Sequence, residues 1–226
     1  MTRLPAEHLE DIRLGDVMAA PGCPICRVRR TAVSRYLDAV LWESVTDVGF
    51  RRDLTRARGF CDRHTHTLLA ADRAQSGSGT GAAVLLASVV ATREEELSRI
   101  PVAGGSGRSR RLAEARRPPA CLVCAQETRA EANALARLVE LLPEAAWASA
   151  VAEARLCFRD LLSLAGLAQR GPEWSAIWAR QCSRIRQLRE QVEAYVDNSS
   201  HDGRHRITAA DRASVDEAAA LIGGLE

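Results

Sequence analysis

The sequence predicts an all-α fold, a helical bundle built from two related helical-hairpin repeats, and three observations carry that expectation. Ala, Leu, Arg and Glu dominate, all good helix formers, while aromatic residues make up only 4%. Alternating Val/Ile/Thr-rich runs, the mark of half-buried strands, are nearly absent, and apolar residues recur instead at helical spacing. A pattern of cysteines then occurs twice in the same order and at nearly the same spacing.

Taken in chain order, Cys23-Pro24-Ile25-Cys26 opens a helical pattern carried by Ile25, Val28, Val33, Leu37, Val40 and Leu41, with Pro24 suited to the first turn. The pattern falters at Thr46-Asp47-Val48-Gly49, a helix stop and new N-cap, and a second helix runs to about Arg58. Gly59-Phe60-Cys61-Asp62-Arg63-His64 leads into a third helix through Ala74. A Gly/Ser-rich stretch at 75–81 precedes a helix over 82–100, whose 84–90 segment is almost fully apolar and predicts a core position.

A second Gly/Ser-rich stretch, 102–109, runs into a basic, proline-bearing segment and reads as a flexible linker over 101–119. It divides the chain into a first repeat with its core helix at 1–100 and a second repeat with C-terminal helices at 120–226. Cys121-Leu122-Val123-Cys124 opens a helix striped by Leu135, Leu138, Val139 and Leu142, which Pro143 interrupts. A further helix over 144–155 leads to Cys157-Phe158-Arg159-Asp160 and another through Gln169. A long helix over 174–196 and a polar stretch at 197–206 follow. Thr208, with Asp211 three positions on, looks like the capping box of a last helix ending at Gly223-Gly224.

Side by side, the halves read CxxC, 34 intervening residues, CxxH, and CxxC, 32 intervening residues, CxxD. This looks like an internal duplication. A CxxC at a helix start and a CxxH on the next helix supply three thiolates and an imidazole, the donor set of a tetrahedral zinc site. The bend near Thr46 is expected to fold the chain back, so that Cys23, Cys26, Cys61 and His64 form the first metal site. Cys121, Cys124, Cys157 and Asp160 then form a second, weaker one, made more exchangeable by its carboxylate. The competing readings are buried structural cysteines, a redox dithiol at Cys23 and Cys26, and an iron-sulfur cluster on the same donors. His66 reads as solvent-facing, Cys182 as a buried thiol in mid-helix, and His201, Asp202 and Arg204 as further candidates in a polar loop.

The 31 basic and 29 acidic residues are interleaved, which points away from nucleic acid and membrane surfaces and leaves a protein partner as the open expectation. No apolar run approaches the roughly 20 residues of a membrane span, and residues 1–10 lack the order of a secretion signal. A cytoplasmic location is therefore expected, with seven cysteines serving as metal ligands or redox thiols rather than structural disulfides.

Together, His8-Leu9-Glu10-Asp11-Ile12-Arg13-Leu14, Gly22-Cys23-Pro24-Ile25-Cys26, Gly59-Phe60-Cys61-Asp62-Arg63-His64, the second pair of motifs and His201-Asp202-Gly203-Arg204 resemble a bacterial family of uncharacterised proteins. Its members carry a duplicated CPxC and GxCxxH signature and a C-terminal KHDYR-like motif. This chain departs from that pattern at Ala120-Cys121, where the second CxxC lacks the internal proline, at Asp160, in place of histidine, and at Gly203, in place of tyrosine. The resemblance implies a helical, metal-binding protein and brings no activity with it. The leading functional expectation is a zinc-stabilised binding or regulatory module. The alternatives are a thiol or iron-sulfur redox sensor, and a metal-dependent enzyme with an open site at Asp160.

Overall fold

The computed structural model describes residues 4–102, 107–168, 171–199 and 207–224. Among them every regular element is helical: α1 (Leu9–Ala19), α2 (Pro24–Ala39), a π-helical turn (Val40–Ser44), α3 (Val48–Arg56), α4 (Asp62–Ser76) and α5 (Thr80–Ser98) come first. α6 (Arg108–Ala115), α7 (Leu122–Leu141), α8 (Ala145–Glu153), α9 (Phe158–Leu167), α10 (Pro172–Asn198) and α11 (Ala209–Gly223) follow. The all-α expectation holds, and no helix among the described residues is long and apolar enough to cross a membrane.

Apolar periodicity did not reveal α1, because its signal is polar. The Asp11 carboxylate accepts the backbone N–H groups of Glu7 and His8 at 3.0 and 2.9 Å, satisfying donors that a helix start leaves open. Arg137 pairs with the same carboxylate at 2.8 Å and holds it well below the usual carboxylate range. At the other end of the chain the capping box is present as expected: Asp211 N–H donates to the Thr208 hydroxyl at 3.1 Å, and Thr208 N–H to the Asp211 carboxylate at 2.7 Å.

The chain divides into two compact units, Met1–Arg30 with Ala130–Glu226, and Thr31–Arg129. This differs from the division at 101–119 read from composition, and the segment expected as a linker contains α6. Basic side chains explain why a Gly/Ser-flanked stretch takes structure there. Arg58 donates to the carbonyl of Glu114, Arg93 to that of Ala115 and Arg111 to that of Arg99. Helices α2 and α7 each begin in one unit and end in the other.

The Thr31–Arg129 unit has its core on Val33, Leu37 and Val40, one apolar stripe at i, i+4 and i+7, packed with Leu54, Phe60, Leu68, Ala82, Leu85 and Val123. Of the apolar 84–90 segment of α5 predicted for the core, Leu85 is buried and Val89 packs against this cluster, whereas Val90 is exposed. The other unit is built on Leu14, Ile25, Leu135, Leu138, Val151, Leu164, Ile177 and the fully buried Trp147, whose indole N–H donates to the Pro5 carbonyl at 3.0 Å. There, α10 packs along α8 and α11. The buried Gln181 amide of α10 donates to the carbonyls of Val151, Ala152 and Ala154, closing the C-terminal end of α8. Arg184, one turn on, donates to Ala154 and Leu156 at 2.7 and 3.2 Å, so α10 holds the segment that delivers Cys157.

Candidate metal centres

All eight predicted donors fall into two clusters that could hold a metal ion, but the groups are not those expected. Cys61 and His64 join Cys121 and Cys124, and Cys23 and Cys26 join Cys157 and Asp160. Each CxxC thus meets the CxxH or CxxD of the other half, which overturns both assignments made from the sequence. Each cluster lies within one compact unit.

The physical reason lies in helix length. A bend follows α2 where the sequence puts it, with Asp47 accepting the Phe50 N–H as N-cap of α3. The 16 residues of α2 and five of the π turn advance the chain about 30 Å, whereas the nine residues of α3 return only about 14 Å. The second half repeats the mismatch, with 20 residues in α7 and nine in α8. A return that short cannot bring a CxxH back to the CxxC that precedes it.

All four half-motifs share one local geometry. Cys61 and Cys157 are the N-caps of α4 and α9, in extended backbone at φ −67°, ψ 166° and φ −73°, ψ 162°. Cys23 and Cys121 immediately precede α2 and α7, and their carbonyls accept the first helical bonds, from Arg27 and Ala125. A ligand at a helix start and another three residues on both lie at the positive end of the helix, where thiolate charge is favoured. The turn into Cys61 closes α3 with two bonds, Gly59 N–H to Leu54 and Arg58 N–H to Thr55, both at 2.9 Å. Gly59 sits there at φ +91°, and a Cβ would lie 3.1 Å from Val89, so both backbone shape and close approach require glycine. Ala120 N–H donates to Ala57 at 2.9 Å, tying the strand of chain before Cys121 to the turn before Cys61.

At the His64 cluster, one atom gathers the donors. His64 Nδ1 lies 3.3 Å from Cys61 Sγ, 3.4 Å from Cys121 Sγ and 3.3 Å from Cys124 Sγ, and Cys61 Sγ is 3.6 Å from Cys124 Sγ. Zinc bonds of about 2.3 Å to sulfur and 2.0–2.1 Å to nitrogen, set tetrahedrally, separate donors by about 3.5 Å and 3.8 Å. The observed spacing is close to that. The imidazole is 1% exposed, and its Nε2, which has no hydrogen-bond partner among the described residues, faces Glu127 Oε2 at 3.6 Å. Arg63 pairs with the same carboxylate.

Burial and the nearby Arg63 guanidinium lower the His64 pKa against the pull of Glu127, which favours the neutral, ligand-competent ring. Burial works hardest against charge on Cys121, yet the N–H groups of Cys61, Cys124 and Val123 bring its pKa down overall. Cys124 is pushed up to about 12 by burial and by its hydrogen bonds to the other two thiols.

At the Asp160 cluster, Oδ2 takes the place of the imidazole nitrogen. It accepts from Cys23 Sγ at 3.1 Å, Cys26 Sγ at 3.2 Å and Cys157 Sγ at 3.1 Å, and Cys26 Sγ lies 3.7 Å from Cys157 Sγ. All four donors are buried. Burial raises the Asp160 pKa against the hydrogen bonds of Cys23 and Cys157. Cys23 is raised by its bonds to Cys157 and Cys26 and by burial. Its bond to Cys157 lowers that thiol, the largest single influence there, but Cys26 and burial carry Cys157 up to about 12.

Sequence reasoning missed the side chains around the donors. Arg29 reaches into the Asp160 cluster, with Nη2 2.9 Å from Cys26 Sγ and Nη1 3.3 Å from Asp160 Oδ1 and 3.1 Å from Glu131 Oε2. Gly224, at φ +74°, lies against the same cluster, where a Cβ would come within 3.0 Å of Cys26 Sγ. The one available signal was spacing, since Glu127 and Arg29 both stand three residues past a CxxC, on the face of the helix that carries the second cysteine. His66 is exposed, 3.4 Å from Asp62, and Cys182 is half-buried in α10 outside both clusters. His201, Asp202 and Arg204 lie outside the described residues.

No curated protein and no solved structure matches this chain. A family model does, over residues 6–144, a span that holds the whole His64 cluster together with Cys23 and Cys26 and stops short of Cys157 and Asp160. By that match over more than half of its length, the chain belongs to the family of unknown function DUF6062.

Proposed function

We propose that this protein is a zinc-binding helical module in which Cys61, His64, Cys121 and Cys124 hold one zinc ion, and that it acts by binding or regulation rather than by catalysis at the metal. One observation carries the reading: a buried imidazole directs Nδ1 at three cysteine sulfurs from 3.3 to 3.4 Å while its other nitrogen faces a carboxylate. A ligand histidine backed by a carboxylate on its second nitrogen is the usual build of a zinc site. Four protein donors fill a tetrahedral ion and leave no position for water or substrate.

Donors gathered this tightly around one point support a single ion over an iron-sulfur cluster, which must fit several irons and bridging sulfides between its ligands. The burial of all four donors at Asp160 likewise counts against an open catalytic centre there. Elemental analysis of protein purified without oxygen tests the reading. Colourless protein carrying zinc that Cys121→Ser and His64→Ala each remove is the expected result. Brown protein carrying iron and sulfide, or zinc content untouched by both substitutions, would overturn it.

A further inference from the structure

Glu127 and Arg29 occupy the same place on the two CxxC helices, three residues past Cys124 and past Cys26, yet they carry opposite charge. Each faces the non-cysteine donor of its own cluster, and those donors differ in the opposite sense. Glu127 lies 3.6 Å from the imidazole of His64, and Arg29 lies 3.3 Å from the carboxylate of Asp160. The residue just before each of these donors is an arginine that pairs with a glutamate of α7, Arg63 with Glu127 and Arg159 with Glu131.

Formal charge shows what this arrangement does. Three thiolates, neutral His64, Glu127 and Arg63 sum to −3. Three thiolates, Asp160, Arg29, Glu131 and Arg159 also sum to −3. A divalent cation leaves both at −1. Without Arg29, the exchange of a neutral histidine for an aspartate would place one more negative charge in a fully buried site, where uncompensated charge is costly. Arg29 is itself buried, which opposes its charge, but Asp160, Cys26 and Glu131 together more than offset that penalty.

We propose that Arg29 makes Cys23, Cys26, Cys157 and Asp160 a second closed site for the same divalent cation, as a positioning residue that balances the charge of Asp160 and orients Cys26 and Asp160 through its two Nη atoms. The aspartate is thus one half of a matched exchange rather than the trace of a lost site. The proposal rests on the zinc reading of the His64 cluster for the identity of the ion, and on its own residues for the rest.

Zinc titration of the full chain against a chromophoric chelator, with total zinc per chain measured on the same samples, provides the test. The wild type should bind two ions. Arg29→Glu and Asp160→His should each weaken one of them by about 10- to 100-fold, the range for partners that orient a ligand. Combined, Arg29→Glu and Asp160→His recreate the Glu127 and His64 arrangement and should restore two tight ions, a rescue that a merely structural role for Arg29 would not produce. Arg29→Lys keeps the charge but offers one nitrogen in place of two, so it should weaken the Asp160 site less than Arg29→Glu does.

Circular dichroism is recorded throughout. If Arg29→Glu alone does not fold, Arg29→Gln takes its place, with the same expected loss at one site. Two ions held at wild-type affinity after either charge change, or a double variant that still binds one, would overturn the proposal. A wild type binding a single ion that Cys121→Ser removes would also overturn it while leaving the zinc reading of the His64 cluster standing. A single ion lost only on Cys157→Ser would instead count against that earlier reading.

Discussion

The two clusters differ in how far solvent reaches them. Every donor of the Asp160 cluster is buried, with Arg29 inserted from one direction and Gly224 seated against Cys26. At the His64 cluster, Cys61 and Cys124 are only half-buried. By donor chemistry alone the carboxylate site should exchange its ion more readily, which was the expectation from the sequence. Enclosure argues the reverse, since a chelator must reach a donor before it can displace it. Donor type and access are separate quantities, and here they point to opposite sites.

The largest test of this comparison is the grouping itself. Cys23→Ser with Cys157→Ser should remove one ion, because both fall in one cluster, whereas Cys23→Ser with Cys61→Ser should remove both. Zinc per chain decides it, and the opposite result would restore the pairing within each half of the sequence.

A smaller effect separates the clusters by pH. Thiols with raised pKa values are protonated at neutral pH and must release those protons to bind metal, so affinity falls as pH falls, by about tenfold per pH unit for each proton displaced. Cys23 and Cys157 are both raised, whereas the His64 cluster pairs a raised Cys124 with a lowered Cys121. Because Cys121 favours its thiolate more than an ordinary cysteine does, the His64 cluster should keep its zinc to a lower pH than the Asp160 cluster, as competition titrations at several pH values would show. Loss of both ions at the same pH would mean that the thiol shifts do not separate the clusters.

The smallest expected difference is kinetic. Excess chelator should strip zinc in two phases, and the faster should disappear in Cys61→Ser. If Cys157→Ser removes the faster phase instead, donor type outweighs access.

Much of this was legible beforehand. Cys23, Cys26, Cys61, His64, Cys121, Cys124, Cys157 and Asp160, the residues of the two clusters that could hold a metal ion, were all recognisable as candidate donors, because a CxxC or CxxH at a helix start announces itself through spacing and flanking residues. The bends near Thr46 and Pro143 and the Thr208 cap were legible for the same reason, being local. The partnership between half-motifs was not. It depends on the nine-residue lengths of α3 and α8, and helix ends are set by capping and tertiary contacts that apolar periodicity records poorly. Arg29 and Glu127 were hidden because a charged residue on a helix reads as a solvated one until its neighbours are known. Helix α1 was missed on similar grounds, its start being defined by Asp11 rather than by an apolar stripe.

That α2 and α7 both change units has a consequence for biosynthesis. The Thr31–Arg129 unit, with all four residues of the His64 cluster, is one uninterrupted stretch that can assemble as soon as it leaves the ribosome. Its contacts join residues 57 to 63 positions apart, whereas Cys23 and Cys26 must wait for partners 131 to 137 positions downstream. The added closure entropy is small, about 0.6 kcal/mol for each doubling of the loop. Timing is the larger matter, because two thiols synthesised early stay exposed to stray metals and oxidants until Cys157 and Asp160 have been made.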